Sequence, residues 1–397
     1  MLDRAVSMLD SYPDTTIIFG DSAFTDFEYL IRKTDPKKLV VFTGRNSADT
    51  CGAWEKLLNA LTYTNAAVKR FSEIEPEPTV HTVAKMIDFL AQEQPDEVIG
   101  IGGGSAIDAA KLAYLAHQAG SSMHDYFGVN QFSAKYPDKK LKKVICFPTT
   151  SGTGTEATPY SNIVDPDLKV KKLVVETQII PASSFVCPVL TSSMPRSVTL
   201  ATGCDALAHL LEGFLNVGQD PRCPQANDWA LEGIRLIVGN LPRALADGGD
   251  SAARSAMAAA ACLGGMVIRN KSTGLPHLCS FSWYGRISHG EAVAMLLPAC
   301  WEYYLGNPAV AERTMLLAGI FPGTTPNDVV KSCQTFIHAL GLPDDLSAYP
   351  ELSAELMELT ASSASENKMK LELAPRPVEQ SRSREILSSI LKDAFGA

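Results

Sequence analysis

Positive charge is scarce in this chain, and no segment concentrates it. Lysine and arginine together number 35 against 44 aspartate and glutamate residues, which gives a formal net charge of −9 over 397 residues. The basic residues come in short local groups such as Lys139, Lys140, Lys142 and Lys143. Because nucleic-acid-binding proteins concentrate basic residues on one face, we expect no nucleic acid partner.

Long hydrophobic runs are also lacking. No stretch approaches the roughly 18 consecutive apolar residues that a membrane-spanning helix needs. Residues 1–12 carry Asp3, Arg4 and Asp10 among their apolar positions, which is unlike a secretory signal. We therefore expect no membrane partner. With 46% hydrophobic and 20% charged residues, the composition is that of an ordinary globular protein, long enough for two domains.

Paired cysteines are a third absence. The nine cysteines are an odd number, are widely scattered, lie mostly in apolar runs and include no CxxC pair. This pattern is typical of reduced, buried thiols rather than of a disulfide framework. We therefore expect a cytoplasmic protein.

The first half of the chain alternates strand and helix patterns. Residues 16–20, 38–44 and 143–148 have the composition of strands, and an amphipathic helix is predicted over 79–94. The segment Asp96–Lys111 combines a buried-strand pattern, a glycine turn and an alanine-rich helix. This alternation predicts a mostly parallel sheet with helices on both faces.

Helical periodicity replaces the strand patterns after about Ser193. The predicted helices are 197–217, 224–246, 251–269, 291–305, 308–320, 326–340, 352–366 and 383–395. We therefore predict an α/β domain over residues 1–193 and an all-helical domain over residues 194–397.

Two loops of the first half have the composition of anion-binding sites. Gly102-Gly-Gly-Ser105 joins a strand to a helix, so its backbone amides and the helix dipole would face outward together. Pro148–Glu156 follows the next strand and offers hydroxyls beside glycines. Alone, the first loop could equally be a tight turn, and the GxGxxG spacing is absent. Two such loops on neighbouring strands favour a nucleotide ligand.

Histidine is scarce, with seven residues in the chain. Asp205 and His209 are four apart in a helical run and therefore share one face. His277 and His289 follow downstream, and three histidines with one carboxylate suit a divalent ion such as Fe²⁺ or Zn²⁺. Each residue alone would more often be packed in a core or hydrogen-bonded. Their order after two nucleotide loops favours a metal site.

Four segments, in this order, resemble motifs of the iron-containing alcohol dehydrogenase family. Gly102–Lys111 is similar to its GGGSxxDxAK, Pro148–Glu156 to its PTTxGTGxE, Gly203–Glu212 to its GxDAxxHxxE, and His289–Pro298 to its HGxxxAxxLP. The turn Ala374–Pro377 also resembles the one before the family's last helix. The resemblance covers nearly the whole chain. It implies a Rossmann-like dinucleotide-binding domain followed by an all-α metal-binding domain, an architecture shared with dehydroquinate synthases.

Site residues follow from the resemblance by position. The implied metal ligands are Asp205, His209, His277 and His289. The residues implied to line the dinucleotide are Gly102, Gly103, Gly104, Ser105, Asp108, Thr149, Thr150 and Thr153. Lys172, or its neighbour Lys171, would lie near the nicotinamide ribose. Many members carry a further histidine where this chain has Phe281, and the loop between the last two ligands is shorter here, so a proton-relaying histidine is not expected.

The end of the second strand indicates the cofactor. NAD-preferring members hold a carboxylate there that bonds the ribose diol and repels a 2′-phosphate. This chain reads Thr43-Gly44-Arg45-Asn46-Ser47, and Arg45 with Ser47 could contact a phosphate. The segment at Gly44 and Arg45 therefore favours NADPH over NADH.

The segment Lys271–His277 is similar to one in phosphonoacetaldehyde reductases. A phosphonate needs a cation and hydroxyl donors near the reacting carbonyl, and Lys271, Ser272 and Thr273 could supply them, with Arg286 across the shortened loop. In the other interpretation, Lys271 is simply a cation at a helix end, where the dipole favours it.

The resemblance implies NAD(P)H-linked, metal-dependent reduction of an aldehyde to a primary alcohol. Our first choice is phosphonoacetaldehyde to 2-hydroxyethylphosphonate, in phosphonate natural-product biosynthesis. A general short-chain alcohol dehydrogenase, a maleylacetate reductase-type enzyme and a cyclising lyase of the dehydroquinate synthase type are the alternatives. We expect a small-molecule aldehyde or alcohol as substrate, and a homodimer as is common in the family.

Overall fold

A computed structural model describes residues 2–168, 170–343, 349 and 352–395. The strands are Thr16–Phe19 (β1), Lys38–Gly44 (β2), Ala67–Ile74 (β3), Glu97–Gly102 (β4), Gly128–Val129 (β5), Ile145–Pro148 (β6), Tyr160–Asp165 (β7), Val170–Val175 (β8) and Ser183–Val186 (β9). The helices of the strand-containing half are Leu2–Asp10 (α1), Ala23–Thr34 (α2), Ser47–Thr50 (α3), Ala53–Leu61 (α4), Val80–Glu93 (α5), Gly104–Ala119 (α6) and Gln131–Lys135 (α7).

Helices dominate the rest of the chain. They are Arg196–Leu215 (α8), Ala226–Ala246 (α9), Ser251–Asn270 (α10), Leu275–Ser280 (α11), His289–Tyr304 (α12), Pro308–Met315 (α13), Pro326–Ala339 (α14), Ala354–Ser365 (α15), Lys368–Glu372 (α16) and Ser383–Phe395 (α17). Short 3₁₀ turns occur at Met123–Tyr126, Thr155–Ala157, Thr177–Ile179, Pro188–Thr191, Val217–Arg222, Phe281–Trp283 and Gln380–Arg382. The predicted architecture, a parallel α/β part followed by a helical part, is confirmed.

The main sheet has six parallel strands in the order β1-β9-β6-β4-β2-β3. A second sheet pairs β5 and β7 on either side of β8. In the main sheet β4 and β6 are neighbours, with Gly102 opposite Pro148. The two loops predicted to bind a nucleotide therefore begin side by side, at the carboxyl ends of adjacent strands.

Both faces of the main sheet are buried. Leu39 and Val41 of β2 pack into a core cluster with Phe27 of α2. Val40 and Phe42 of the same strand point the other way, into a cluster formed with α5 and α6. Alternate side chains of a strand point to opposite faces, so a strand buried on both faces reads as one continuous hydrophobic run.

The structure divides into two compact units at Pro195, close to the predicted boundary. One segment differs from the predicted halves, because Gly248–Gly265 groups with the amino-terminal unit. Gly265 of α10 lies against the backbone of Gly154 in the second loop, and a Cβ at residue 265 would lie 2.2 Å from the Gly154 carbonyl oxygen. Gly154 itself has a φ of +60°, which favours glycine.

Helix α10 is long and apolar enough, by length and composition, to cross a membrane. However, 83% of its most hydrophobic window is buried within the fold. Burial of this kind is typical of a core helix. The nine cysteines are free thiols, and most of them are buried.

We expect Gly265→Ala to destabilise the protein, because its methyl group has no space against the Gly154 backbone. Overpacking of this kind costs about 1–3 kcal/mol or more. Thermal unfolding of the full chain measures the effect. Gly239→Ala, in the interior of α9, is the matched control, since a Cβ there would meet no atom within 4 Å; it should be neutral or stabilising. Equal stability of the two variants would contradict the close contact.

Candidate metal centre

Helix α8 presents three buried acidic and imidazole side chains on one face. Asp205, His209 and Glu212 are spaced four and three residues apart, so they project from successive turns of the same side. Asp205 is 4% exposed, His209 6% and Glu212 0%. Buried ionisable groups in such a row require partners of opposite charge. The row therefore marks a site rather than an ordinary packing face.

His277 is held by the short helix α11, whose start is fixed by side chains from two other helices. The Gly274 amide donates to Glu212 Oε2 at 2.5 Å, and the Leu275 amide donates to Tyr304 Oη at 2.7 Å. These are amides that a helix start leaves without backbone partners. A Cβ at residue 274 would lie 2.5 Å from Tyr304 Oη, so only glycine fits there.

His289 is the first residue of α12, which approaches α8 very closely. A Cβ on Gly290 would lie 1.8 Å from the Ala201 carbonyl oxygen, so a glycine beside the histidine is required. The His289 Nδ1 lies 3.3 Å from Ser280 Oγ. The ring of Phe281 stacks nearly parallel on the His289 ring, with centroids 6.3 Å apart.

Three imidazoles converge on one carboxylate oxygen. Asp205 Oδ1 lies 3.5 Å from His209 Nε2, 3.5 Å from His277 Nε2 and 3.8 Å from His289 Nε2. Ligand atoms bound tetrahedrally at about 2.0–2.2 Å from one ion are separated by roughly 3.3–3.6 Å. The two 3.5 Å separations fit a single first-row ion, the His289 separation is slightly longer, and the ligand atoms of Asp205, His209 and His277 all lie within 4.8 Å of one another.

The atoms that face this point do not satisfy each other. Asp205 Oδ1 and His277 Nε2 are buried and make no hydrogen bond to any part of the chain that the structure describes. Leaving a buried polar atom without a partner is costly. A cation held between them would satisfy both, so the donor set fits a metal ion.

The local field favours positive charge. Burial would raise the pKa of the Asp205 carboxyl, but His209, His277 and His289 lower it well below its usual range. Burial would also lower the pKa of His277, yet the carboxylates of Glu212 and Asp205 raise it to about 9. Two buried carboxylates beside one imidazole stabilise any cation at this position.

Glu212 is a functional residue that the sequence reasoning missed. One of its oxygens bonds His277 Nδ1. This bond directs the Nδ1 proton toward Glu212 and leaves Nε2 free to face Asp205. Its spacing from Asp205 and His209 on α8 was the available signal. Nothing in the sequence, however, placed the partner imidazole, which is 65 residues away.

The two nucleotide-loop candidates contact each other in the α/β unit. Cβ atoms on Gly103 and Gly104 would meet the side chains of Thr150 at 3.1 Å and Thr153 at 2.7 Å. Gly102 has a φ of +153° and a buried position. Gly103, Gly104, Ser105, Thr150 and Thr153 are the partly exposed members of the set, whereas Thr149 is buried.

The side chain of Asp108, which the resemblance implied to line the dinucleotide, is engaged within the fold. Its carboxylate is buried and accepts hydrogen bonds from Thr155 Oγ1 at 2.5 Å and from the Asn162 amide at 2.9 Å. Burial raises its pKa, with the charge of Lys111 opposing. Asp108 therefore ties α6 to the second loop and to β7.

The structure separates the two lysine candidates on β8. Lys172 Nζ bonds Asp165 at 2.7 Å and lies over the Phe127 ring. Lys171 Nζ bonds Glu77 at 2.7 Å, and the Glu77 amide donates to Ser105 Oγ of the first loop. Of the two, Lys171 is the one connected to the loop through Glu77.

Lys271 does not present its charge to a substrate. It is fully buried, and its Nζ bonds Asp220 at 2.5 Å and Asn227 at 2.6 Å. Arg313 bonds the same two side chains. Lys271 therefore belongs to a structural ion-pair network at the end of α10, and its predicted role in anion recognition is wrong.

The other three predicted substrate residues have different positions. The Ser272 amide donates to Gln219 Oε1 at 2.8 Å. Both the Thr273 carbonyl and hydroxyl oxygens accept hydrogen bonds from Lys370, a residue that the sequence analysis did not consider. Arg286 is exposed in the turn before α12. Thr273 is linked to the Glu212–His277 pair through its neighbour Gly274.

The cofactor-indicating segment forms the end of β2. Gly44 ends the strand, and a Cβ there would lie 3.3 Å from Ser47 Oγ. Arg45 and Ser47 are exposed. Thr43 Oγ1 accepts a hydrogen bond from Arg70, which also pairs with Asp49. The exposed surface at residues 44–47 thus carries one cation and one hydroxyl.

Comparison with known proteins identifies relatives along nearly the whole chain. Residues 14–188 match the profile described as "Iron-containing alcohol dehydrogenase", and residues 199–391 match "Fe-containing alcohol dehydrogenase family, C-terminal". A long-chain-alcohol dehydrogenase of Geobacillus thermodenitrificans is 32% identical over 349 residues, covering 84% of this chain and 85% of the relative. An NAD-dependent methanol dehydrogenase of Bacillus methanolicus is 29% identical, covering 88% and 91%.

Solved structures agree with the sequence relatives. An iron-containing alcohol dehydrogenase from Thermotoga maritima superposes with a TM-score of 0.82 at 29% identity, covering 97% of this chain and 99% of that one. A 1,3-propanediol oxidoreductase superposes with a TM-score of 0.84 at 26% identity, covering 96% and 98%.

We expect Glu212→Gln to weaken metal binding by roughly 10–100-fold, as loss of a partner behind a liganding histidine does. Glutamine is uncharged and has one acceptor oxygen, so it cannot accept hydrogen bonds at both positions from the His277 ring and the Gly274 amide. Competition with a chelator, using Zn²⁺, measures the affinity. Glu302→Gln, at an exposed position of α12, is the matched control. Equal affinity of both variants would show that Glu212 does not support the site.

Proposed function

The chain belongs to the iron-containing alcohol dehydrogenase family, and we propose that it reduces an aldehyde carrying an anionic tail, with phosphonoacetaldehyde as the first candidate. Family membership makes it an oxidoreductase of alcohols and aldehydes that uses a metal ion and a nicotinamide cofactor. The convergence of three histidine Nε2 atoms on Asp205 Oδ1 is the observation that carries the metal-dependent reduction in this proposal. The identity of the aldehyde and the preference for NADPH are proposed here.

Asp205, His209, His277 and His289 would hold the metal, with Fe²⁺ and Zn²⁺ both suited to the donor set. When bound, such an ion supplies Lewis acidity toward a carbonyl oxygen. The protein's residues fix the site for it. Glu212 orients His277, and Gly290 lets α12 bring His289 beside α8.

In the α/β unit, the loop at Gly103–Ser105 would bind the cofactor pyrophosphate through backbone amides at the start of α6. Thr150 and Thr153 would add hydroxyl donors. Of the β8 lysines, we propose Lys171 for the ribose. No proton relay is assigned to Phe281, since a phenyl ring carries no exchangeable proton; water and ribose hydroxyls would take that role.

The phosphonate tail is proposed from the segment leading into His277. It resembles that of phosphonoacetaldehyde reductases, and Thr273 retains a hydroxyl beside the Gly274–Glu212 contact. The second candidate is a dehydrogenase of unsubstituted alcohols. It is favoured by the activities for which the relatives are named, which include a 1-propanol dehydrogenase of Salmonella typhimurium at 31% identity. The family models and the relatives place the chain with dehydrogenases.

We expect a screen of NADPH oxidation to separate the candidate substrates. Phosphonoacetaldehyde, propanal and maleylacetate would be compared with Fe²⁺ or Zn²⁺ supplied. A higher kcat/KM for phosphonoacetaldehyde than for propanal supports the first candidate. Equal values for these two aldehydes would exclude it in favour of the unsubstituted-alcohol enzyme.

Replacing His277 by alanine should remove both metal and turnover. We expect bound metal to fall well below one ion per chain and turnover to fall by about a thousandfold, the equivalent of several kcal/mol of transition-state stabilisation. Elemental analysis and NADPH oxidation measure the two quantities. His81→Ala, at an exposed position, serves as the control. Full activity with undiminished metal would eliminate the assigned site.

Gly44→Asp should shift the cofactor preference toward NADH. The new carboxylate would repel a 2′-phosphate, which at this range corresponds to roughly a tenfold loss in kcat/KM for NADPH relative to NADH. Gly44→Asn has the same shape without the charge and isolates the electrostatic effect. If Asp and Asn variants show the same cofactor ratio, residue 44 does not face the adenosine ribose.

A further inference from the structure

Lys370 lies beside the residues that fix His277. It is part of the short helix α16, near the end of the chain, and its Nζ donates to Thr273 Oγ1 at 2.7 Å and to the Thr273 carbonyl at 2.9 Å. The next residue, Gly274, donates its amide to Glu212 Oε2. The Lys370 ammonium is therefore connected to the proposed metal ligand His277 through Thr273, its neighbour Gly274 and Glu212.

The surroundings of this partly buried ammonium differ from those of Lys111 and Lys271, which are buried. Lys271 contacts the carboxylate of Asp220, and Lys111 Nζ donates to oxygens of Thr155, Thr158 and Tyr160 with the charge of Asp108 nearby. Within the part of the chain that the structure describes, the contacts of Lys370 Nζ are two neutral oxygens of Thr273. Desolvation lowers the pKa of Lys370 to about 8, and only the charge of Glu212 opposes this.

Lys370 is partly buried, and a partly buried ammonium with two neutral contacts can take an anion as a further partner. The Glu212 carboxylate does not fill this role by contact, because its two oxygens are engaged by His277 and Gly274. An ammonium has three donors, and two are accounted for by Thr273. The Thr273 hydroxyl accepts from Lys370, so its own proton remains available for donation.

A second pair of hydrogen bonds, made by Asn216, holds Thr273 close to Lys370. Asn216 Nδ2 donates to the Leu373 carbonyl at 3.0 Å and to the Ser272 carbonyl at 3.3 Å. This side chain therefore ties the chain before α11 to the end of α16. Rigid placement of two donors is what recognition of an oxyanion requires.

We propose that Lys370, with the Thr273 hydroxyl, is the specificity-determining residue that binds the anionic tail of the substrate. This rests on the proposed function in one respect only, the presence of an oxyanion on the aldehyde. Lys370 takes the part that the sequence analysis gave to Lys271. It acts on recognition of the tail, and the reacting carbonyl is handled by other residues.

Lys370→Met tests this, because methionine keeps the length of the side chain and removes the charge. We expect kcat/KM for phosphonoacetaldehyde to fall roughly 10–100-fold, the value of a charge-assisted hydrogen bond in a partly buried site. For propanal, kcat/KM should change less than about twofold. Lys370→Arg should recover part of the loss. Lys368→Met, on the same helix and 73% exposed, is the matched control.

A second measurement does not depend on the proposed substrate. Ethylphosphonate would be used as an inhibitor of propanal reduction by the metal-loaded enzyme, and its Ki should rise roughly tenfold or more in Lys370→Met. If the wild type shows no preference for phosphonoacetaldehyde but the Ki of ethylphosphonate rises in Lys370→Met, the proposed substrate is excluded and the anion site is supported.

The opposite outcomes overturn the role of Lys370. A wild-type preference for phosphonoacetaldehyde that survives in Lys370→Met leaves the function intact and removes Lys370 from it. Equal losses for propanal and phosphonoacetaldehyde, or loss of bound metal, would show that Lys370 only supports the fold. If ethylphosphonate does not inhibit the wild type, no anion site exists at this position.

Discussion

The buried carboxylate of Glu212 is the constraint on which the helical unit depends. Its two oxygens hold different parts of one short helix, the His277 ring and the Gly274 amide at the start of α11. The first bond sets which ring nitrogen faces Asp205, and the second sets where the helix begins. Because Glu212 is fully buried, water cannot replace either bond, and the ring and the helix position are fixed together.

Close backbone approaches make this arrangement possible. Gly274 admits the Tyr304 hydroxyl, and Gly290 lets the start of α12 touch the Ala201 carbonyl. In the α/β unit, Gly265 and Gly154 meet in the same way. Each contact excludes even a methyl group. Gly265 and Gly290 are therefore determined by tertiary packing, since their helices would otherwise gain stability from alanine.

The sequence predicts features whose partners are close in the chain, and fails where they are distant. The spacing of Asp205 and His209 follows from the helix period, and the adjacent loops at Gly103 and Thr150 follow from strand order. The role of Glu212 depends on a ring 65 residues away. Helix α16 has only five residues, too few to show a period, so Lys370 gave no signal.

The positions of the lysines named from the sequence have a simple geometric origin. Adjacent residues of a strand point to opposite faces, so an uncertainty of one residue between Lys171 and Lys172 exchanges a loop contact for a pairing with Asp165. Lys271, at the end of α10, is close to His277 in sequence, but the direction of its side chain is set by its position on the helix. Lys271 projects toward Asp220, where a buried charge needs an ionic partner more than a substrate does.

The two units distribute charge in opposite ways, and each distribution suits a different ligand. In the α/β unit the charged groups Asp108 and Lys111 are buried and bonded within the fold, which leaves neutral amides and hydroxyls at the loop surface. In the helical unit, Asp205 and Glu212 concentrate negative charge behind imidazoles. Oriented neutral dipoles suit a pyrophosphate, whereas buried carboxylates require a cation. The location of the buried charge thus distinguishes the nucleotide site from the metal site.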